Sequence, residues 1–432
     1  MSESTLRVIN AKLWYNSSIH NLGFYVNDGR ITKIAKDDEL PLAERTFNAK
    51  GMLVFPGFID AHVHLRDSDY SYKEDFLSGT SAAVAGGFTT ILDMPNTSPP
   101  IINADRFVER IARAKKKILC NVGFYASPST VYDVVPLRKA GCIAYKVYLQ
   151  NILDGNDYSS PENLGDLMKE IKSSRGILAI HAEDPLLITR GSVGEHGHPR
   201  ESEIRAIAMI VRLSAETHCP VHIVHVSTSE GLDIIKRAKN DGLDITAEAT
   251  PQHSLLDIRS GDGNLFHSEP PLRDVRDRTA ILSGLIDGSV DIIASDHAPH
   301  SLEEKIQGLK PGFPGLEITV PLMMNLASEG IVTLNRLCEA MIGKPCMRFS
   351  LKERGEIKEG YRADFVVIDK SKKMKIKADE FYSKAKYSPF DGWSVNGSVY
   401  GTFIGGLPAF LDGEIVGKPG MGSVLDGNKT SG

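Results

Sequence analysis

Residues 53–66 read LVFPGFIDAHVHLR, an apolar run that ends in two histidines and an arginine. Alternate side chains of a β-strand point to the same side, so His62 and His64 can reach one metal ion together. Arg66, two residues further on, points the same way. Imidazole nitrogens suit zinc and its neighbours among the divalent metals. This stretch predicts a strand that carries metal ligands at its end, although an HxH pair alone also occurs in structural roles.

Further apolar runs follow the same rule, because each ends in a residue that can bind a metal ion or a substrate. The runs FTTILDMPN, CIAYKVYL, GILAIHAED, PVHIVHVS and VDIIASDHAP deliver Asn96, Lys146, His181, His225 and Asp296. Longer helical stretches separate the runs, which is typical of βα units around a parallel sheet. The sequence therefore predicts an α/β fold with a (β/α)8 TIM-type barrel over residues 56–350. The strand ends of such a barrel meet at the face where active sites lie.

The sequence pattern differs at both ends of the chain, where it predicts short strands of alternating polarity separated by frequent turn residues. Residues 1–55 contain LRVINAKLWY and LGFYVNDGRITKIA, and the central Asn-Asp-Gly predicts a hairpin. Strand patterns return in residues 351–432, and we expect the Gly-, Ser-, Asp- and Lys-rich tail after Gly417 to be loose. The economical architecture is a small β-sandwich domain built from both termini. Two separate β caps would give the same patterns.

The composition of the 432 residues excludes several classes of protein. Apolar residues make up 41% and charged residues 24%, which is ample for a large core. A formal net charge of −5 gives no basic field for nucleic acid or an anionic membrane, so we expect a small-molecule substrate. The five cysteines are scattered without a CxxC pair, and neither a signal peptide nor a membrane-spanning run is visible. These features predict a cytoplasmic protein in a reducing compartment.

Lys146 is the unusual member of the strand-end set, because a protonated ammonium cannot bind a cation. Burial in the apolar run CIAYKVYL would lower the pKa of the lysine. The neutral amine could then react with carbon dioxide to form a carbamate whose two oxygens bridge two metal ions. Alternatively, the side chain reaches the rim of the sheet or pairs with a carboxylate. A lone histidine near a strand end is likewise more often structural, and His222 is an example that nothing singles out.

Several longer motifs resemble those of the cyclic amidohydrolases, and among them the dihydroorotases. In chain order they are GFIDAHVHLRD, YKEDFLSGTSAAVAGGFTTILDMPNTSPP, HAED, HVST, PPLR, SDHAPHSLEEK, PGFPGLE and SPFDG. The resemblance extends from about Gly51 to about Gly413. MPN and DHAPH are specific within the superfamily, whereas all its members share the HxH pair and the single histidines.

The resemblance implies two Zn²⁺ ions per chain, bridged by an N6-carboxylated lysine and a hydroxide. The ligands that it implies are the HxH pair and the aspartate for the first ion, two histidines for the second and the bridging lysine: His62, His64, Asp296, His181, His225 and Lys146. Asp296 would also be the catalytic residue, which accepts a proton from the hydroxide and passes it to the leaving amide nitrogen.

The implied activity is that of a dihydroorotase. This enzyme converts N-carbamoyl-L-aspartate reversibly into (S)-dihydroorotate in de novo pyrimidine (UMP) biosynthesis. By resemblance, Arg66, Asn96 and His300 would hold the carboxylate of the substrate. An allantoinase or a dihydropyrimidinase (hydantoinase) would share every metal ligand, but its substrate would match these three residues less well. An inactive structural homologue is a third alternative, and its expected trace, a lost metal ligand, is not found. A homo-oligomer and an association with aspartate transcarbamoylase remain open at this point.

Two positions depart from the family pattern. Glu269 precedes PPLR where the family often has asparagine, and Gln252 lies in TPQH where the family has TPHH. An ionised glutamate would repel the substrate carboxylate. We therefore expect Glu269 to turn away and pair with Arg273 or another cation, rather than to be protonated by desolvation and donate as a neutral acid. Gln252 lies outside the ligand set.

Overall fold

The first part of the chain forms seven short strands. The computed structural model describes residues 5–153, 155, 157–189, 191–261, 263–308 and 310–430. The strands are β1 (Thr5–Ile9), β2 (Lys12–Tyr15), β3 (Ser18–Asn21), β4 (Gly23–Asn27), β5 (Arg30–Ala35), β6 (Arg45–Asn48) and β7 (Leu53–Pro56). β4 and β5 form the predicted hairpin around Asp28 and Gly29, whose φ angles of 48° and 74° suit a two-residue turn.

Eight parallel strands form the barrel, as predicted. They are β8 (Phe58–Val63), β9 (Phe88–Asp93), β10 (Asn121–Ala126), β11 (Ala144–Tyr148), β12 (Leu178–His181), β13 (Val221–Ile223), β14 (Ile245–Ala249) and β15 (Ile292–Ile293). Each strand pairs with the next along the chain. Val63 also pairs in parallel with His297, so the first strand meets the segment after the last one. All six residues of β8 are buried, which is why its sequence reads as a continuous apolar run.

Helices follow the barrel strands and cover the outside of the barrel. They are α1 (Phe76–Ala85), α2 (Ala104–Ala114), α3 (Val134–Ala140), α4 (Pro161–Ser173), α5 (Gly194–Gly197), α6 (Arg200–Thr217), α7 (Ser229–Asn240), α8 (Pro251–Leu255), α9 (Val275–Asp287), α10 (Leu302–Ile306), α11 (Leu316–Ser328), α12 (Leu334–Cys338) and α13 (Lys344–Arg348). The rings of Phe76 and Phe107 pack edge-on against Phe124 of β10 and anchor α1 and α2 to the sheet. Across the described residues, no helix combines the length and apolarity needed to span a bilayer.

The strands near both termini share one small β domain, which confirms the predicted sandwich. Its C-terminal strands are β16 (Phe365–Lys375), β17 (Ser394–Ile404), β18 (Leu407–Leu411) and β19 (Glu414–Ile415). β16 pairs with β7 in a seven-stranded sheet, and a four-stranded sheet of β5, β4, β1 and β6 lies against it. Phe365 stacks on Phe403 at 4.3 Å and meets Phe24 edge-on at 5.1 Å. These rings join the two sheets in one core.

The tail after Gly417 packs on the barrel, so the prediction of a loose tail is wrong for the described residues up to 430. Val424 pairs in parallel with Val122, and the side chain of Leu425 is buried. A Cβ atom on Gly422 would lie 2.0 Å from the carbonyl oxygen of Cys120. The glycines that suggested looseness therefore allow a close approach of two backbones. The first four residues of the chain and the last two lie outside the described part.

Candidate active site

A cavity of about 730 Å³ opens where the barrel strands end. Eight of the nine predicted site residues line it: His62, His64, Arg66, Asn96, His181, His225, Asp296 and His300. The ninth, Lys146, is fully buried in β11. The structure therefore brings the predicted set together at the face of the barrel where the strand-end argument places it.

His62, His64 and Asp296 form a compact cluster whose possible ligand atoms all lie within 4.8 Å of one another. Asp296 Oδ1 lies 3.4 Å from His62 Nε2 and 3.3 Å from His64 Nε2. The Nδ1 atoms are already engaged: that of His62 lies 2.8 Å from Glu248 and that of His64 lies 2.6 Å from Asn96. The two Nε2 atoms are thus directed at the aspartate, which is the arrangement that a divalent cation requires of its ligands.

His181 and His225 form a second pair beside this cluster. Their ring centres are 4.5 Å apart, and the ring of His225 is 5.3 Å from that of His62. Glu183 Oε2 lies 2.6 Å from His181 Nε2 and fixes the orientation of that ring. Among the described residues, His225 Nδ1 and Lys146 Nζ have no hydrogen-bond partner although both atoms are buried. Buried polar groups without partners are rare, and here they fit a site built to hold a further group.

Lys146 is available as a neutral amine. Burial lowers its pKa to about 7, although the nearby carboxylates of Glu248 and Asp296 partly oppose this. Its Nζ lies 4.8 Å from the centre of the Tyr148 ring. The side chain does not reach the rim, and no ion pair of this lysine is found within the described residues. Burial therefore favours the uncharged amine, which is the form that reacts with carbon dioxide.

Glu248 is a buried residue that the strand-end argument missed. It accepts a hydrogen bond from the backbone N–H of His225 (3.2 Å) and lies 3.1 Å from His222 Nε2 as well as next to His62. Burial alone would raise the pKa of Glu248, but the two histidines outweigh it and hold the pKa well below the usual range. The contact of His222 with Glu248 holds the carboxylate in place, so the role of His222 is structural. The signal in the sequence was a single acidic residue in the strand ITAEA.

Three site residues have an unusual backbone. Arg66, His225 and Asp296 have φ angles of 52°, 36° and 47°, in the left-handed region that non-glycine residues rarely adopt. Asp60 supports this backbone from β8, because its carboxylate accepts from the N–H groups of Ser295 and His62. Strained residues of this kind cluster at active sites, where the surrounding structure holds them in place.

The predicted carboxylate-binding residues lie on one side of the cavity. Arg66 Nη2 is 3.1 Å from His300 Nε2, and Arg66 Nε donates to the Pro299 carbonyl. Lys73 Nζ lies 3.1 Å from His300 Nδ1 and 2.8 Å from Glu304 Oε1, so the charge of this buried lysine is paired. Asn96 lines the same cavity, and its Oδ1 contacts His64. Arg66 thus adds a buried guanidinium to this side of the cavity, which suits an anionic substrate.

Glu269 differs from the prediction in its position, but not in having a cationic partner. It lines the cavity rather than turning away, and its cationic partner is His198, whose Nε2 lies 3.3 Å from Glu269 Oε1. Arg273 is engaged elsewhere, because it pairs with Glu195 and donates to the His198 carbonyl. The prediction allowed Arg273 or another cation as the partner of Glu269, and the structure shows the second alternative. The other departure, Gln252, is buried in α8 and is not part of the cavity wall formed by the described residues.

Comparison with known proteins identifies relatives along almost the whole chain. Residues 53–416 match the amidohydrolase family. The chain is 35% identical over 413 residues to a dihydroorotase from Methanothermobacter thermautotrophicus, which covers 92% of each protein. It is 37% identical over 403 residues to a dihydroorotase from Bacillus cytotoxicus, covering 88% of this chain and 92% of the relative. Among solved structures, an L-hydantoinase (dihydropyrimidinase) from Arthrobacter aurescens superposes with a TM-score of 0.91 at 28% identity, covering 98% of this chain and 99% of that one.

Proposed function

The chain belongs to the amidohydrolase family and is a metal-dependent cyclic amidohydrolase, and from this premise we propose that it interconverts (S)-dihydroorotate and N-carbamoyl-L-aspartate. The observation that carries the proposal is the buried corner of Arg66 and His300 beside the histidine cluster. A guanidinium binds a carboxylate through two parallel hydrogen bonds. Of the candidate ring substrates, dihydroorotate carries a carboxylate, whereas dihydrouracil, hydantoin and allantoin carry none. The proposed place of the reaction is de novo pyrimidine (UMP) biosynthesis.

The proposed metal centre is binuclear and uses the clustered side chains. His62, His64 and Asp296 would hold one Zn²⁺ ion. His181 and His225 would hold the second, and the carbamate of Lys146 would lie between them. The unpartnered Nδ1 of His225 and Nζ of Lys146 support this assignment. When bound, the two ions lower the pKa of a water molecule to near neutrality and polarise the carbonyl under attack.

The carbamate would form on the chain itself. The neutral amine of Lys146 adds to carbon dioxide through a new N–C bond and releases one proton. The product is an anion with two oxygens where a lysine would otherwise place a positive charge. Burial of Lys146 supports this step, because it favours the uncharged amine.

The protein groups then orient the substrate and move one proton. Arg66 and His300 would hold the ring carboxylate, so the amide carbonyl of the ring faces the histidine cluster. The oxygen of water adds to this carbonyl carbon, and the bond from the carbon to the ring nitrogen breaks. Asp296 would accept the proton of the attacking water and return it to the leaving nitrogen. Glu183, Glu248 and Asn96 keep the imidazole rings in place during these steps.

A comparison of substrates tests the proposal. The purified, metal-loaded enzyme is assayed with dihydroorotate, allantoin, dihydrouracil and hydantoin under identical conditions. We expect kcat/KM to be highest for dihydroorotate. A higher value for allantoin or for dihydrouracil would assign the chain to an allantoinase or dihydropyrimidinase instead. Absence of turnover with all four, in protein that holds two metal ions, would support an inactive homologue.

A further inference from the structure

Arg66 begins a stretch of backbone that a chain rarely adopts without support. Arg66, Asp67 and Ser68 have φ angles of 52°, 55° and 53°, so three consecutive residues with a Cβ atom have positive φ. Each such residue is unfavourable unless the surrounding structure holds it in place. The stretch follows the end of β8 and places the side chain of Arg66 in the cavity wall. A group outside these three residues must therefore hold them.

The guanidinium of Arg110, on α2, reaches this stretch from the layer of helices around the barrel. Its Nη1 donates to the carbonyl oxygen of Arg66 at 2.9 Å. The side chain of Arg110 is buried, and it is not part of the cavity wall formed by the described residues. Because a peptide unit is planar, a fixed carbonyl restricts the torsion angles on both sides of it, which are ψ of Arg66 and φ of Asp67.

The same guanidinium is tied to strand β9 through Asp93. Nε and Nη2 of Arg110 lie 3.2 and 2.7 Å from Asp93 Oδ2, and this carboxylate is fully buried. The other oxygen of Asp93 accepts a hydrogen bond from the backbone N–H of Leu65 at 2.9 Å. Arg110 and Asp93 therefore hold backbone groups on both sides of the Arg66 side chain.

Arg110 has little freedom of its own. Its Cζ lies 4.1 Å from the centre of the Phe76 ring, at the start of α1. The flat face of the guanidinium thus contacts the ring, two nitrogens bind Asp93, and the third nitrogen binds the carbonyl of Arg66. A planar group with donors in fixed directions can make these contacts together, whereas an ammonium cannot reproduce them.

The direction of the Arg66 guanidinium depends on this backbone. On the cavity side, its Nε donates to the carbonyl of Pro299 at 3.3 Å, and its Nη2 lies 3.1 Å from His300 Nε2. Neither partner is a carboxylate, so neither contact is of the strong, charge-paired kind. A change in the torsion angles of Arg66 would therefore move its guanidinium relative to the cavity.

We propose that Arg110 is a positioning residue for substrate recognition. Together with Asp93 it holds the backbone of Arg66, so that the guanidinium of Arg66 is directed at the carboxylate of the ring substrate. The part that concerns the substrate rests on the proposed function, in which Arg66 binds this carboxylate. Arg110 acts only through Arg66, so its removal should impair recognition of the carboxylate and spare the chemistry at the ring amide.

Two variants test the proposal. Arg110→Met removes the donor to the Arg66 carbonyl but leaves the buried carboxylate of Asp93 without its cation, which threatens folding. The double variant Arg110→Met/Asp93→Asn removes both charges, and the amide oxygen at position 93 can still accept from Leu65. Metal content and melting temperature are measured for each protein, so that a loss of folding or of metal is recognised separately.

Arg113→Met is the matched control. It is the same substitution on the same helix, and it also removes a positive charge beside the strained stretch. The side chain of Arg113 is 40% exposed, and its Nε lies 3.4 Å from Asp67 Oδ2 rather than at the carbonyl of Arg66. Its loss should therefore leave the direction of Arg66 unchanged.

The enzymes are assayed with dihydroorotate and with dihydrouracil, which lacks the carboxylate. We expect both Arg110 variants to lower kcat/KM for dihydroorotate by about 5- to 50-fold, mainly through KM. Hydrolysis of dihydrouracil should change little, so the ratio of the two kcat/KM values falls. A purely structural defect would lower both values alike and keep the ratio, and Arg113→Met should keep it too. In an Arg66→Met background, Arg110→Met should cause little further loss on dihydroorotate.

A crystal structure of the double variant provides a readout that does not depend on activity. The torsion angles of Arg66 and the position of its guanidinium should differ from those of wild type. An unchanged Arg66 would overturn the proposal, as would an unchanged ratio when wild type prefers dihydroorotate. A failure of the proposed function gives a different result, because wild type itself then shows no preference for dihydroorotate. In that case the crystal structure alone decides whether Arg110 positions Arg66.

Discussion

Lys146 has the most demanding environment of any residue in the site, since it is fully buried with an unpartnered amine. If its carbamate bridges the two metal ions, removal of the side chain should weaken the binding of both ions. We expect Lys146→Ala to bind fewer than two metal ions and to lose activity. Short-chain carboxylic acids should restore part of the metal binding and part of the activity, because they can occupy the place of the carbamate. Elemental analysis and turnover of dihydroorotate measure the two effects.

Lys305 provides a matched control for this prediction. It is also fully buried, and burial lowers its pKa to about 7. Its Nζ donates to the carbonyl of His267 and lies over the ring of Phe313, away from the histidine cluster. Lys305→Met should therefore keep the full metal content. Two metal ions in Lys146→Ala would contradict the bridging role.

Arg66 allows the carboxylate assignment to be tested separately from the metal centre. Arg66→Met keeps a long apolar side chain but removes the guanidinium that lies beside His300. Loss of a charged hydrogen-bond partner typically costs about 2–5 kcal/mol, or about 30- to 4000-fold in kcat/KM. We expect this loss for dihydroorotate, with metal content unchanged.

Dihydrouracil serves as the control substrate in that experiment, because it has the same ring without the carboxylate. Its residual hydrolysis should change much less in Arg66→Met than that of dihydroorotate. If both substrates lose the same factor, Arg66 acts on the fold or on the metal centre rather than on the carboxylate.

The placement of the proposed ligands around one cavity was predictable because these residues occupy strand ends, whereas the residues that orient them were not predictable. Glu248 is 186 residues from His62 along the chain, and Glu183 supports both His181 and His198. A hydrogen bond between strands that are distant in sequence leaves no local pattern. Which cation lies beside Glu269 could not be predicted for the same reason, since His198 lies 71 positions earlier in another loop.

At the scale of elements, the segment after β19 holds the outside of the barrel at the start of β10. Residues 418–430 were mistaken for a loose tail because a glycine-rich composition indicates flexibility as readily as close backbone contact. The barrel itself was predictable, because strands buried on both faces, such as β8, read as continuous apolar runs. The close contact depends on Gly422, which lies against the carbonyl of Cys120.

We expect Gly422→Ala to lower the free energy of unfolding by about 1–3 kcal/mol, because the new methyl group forces the two backbones apart. Activity of the folded protein should be unchanged, since this contact lies at the end of the barrel opposite to the cavity. Gly343→Ala is the control, because a Cβ there meets nothing within 4 Å. It should be neutral or stabilising by up to ~1 kcal/mol. Equal denaturation midpoints for wild type and Gly422→Ala would show that the tail contributes no stability.

At the scale of the whole molecule, a bound metal stabilises the fold because the unfolded chain does not assemble the ligand cluster. Each ion adds about 2.7 kcal/mol at a free concentration one hundred times its Kd. We therefore expect chelator-treated protein to melt at a lower temperature and to recover when zinc is returned. The shift should be smaller in Lys146→Ala. Identical melting curves with and without zinc would show that the folded chain does not bind the metal in preference to the unfolded chain.

The pairing of Val63 with His297 gives the site an order of assembly during synthesis. His64 leaves the ribosome 232 residues before Asp296, which at 5–20 residues per second is a wait of about 12 to 46 seconds. Until then the nascent chain exposes an HxH pair without the third residue of the proposed ligand set. With the proposed ligand set, high-affinity metal binding becomes possible only after the barrel closes. Metal uptake by ribosome-bound chains would thus report the last step of folding, and a chain released before residue 296 would lack one of the proposed metal ligands.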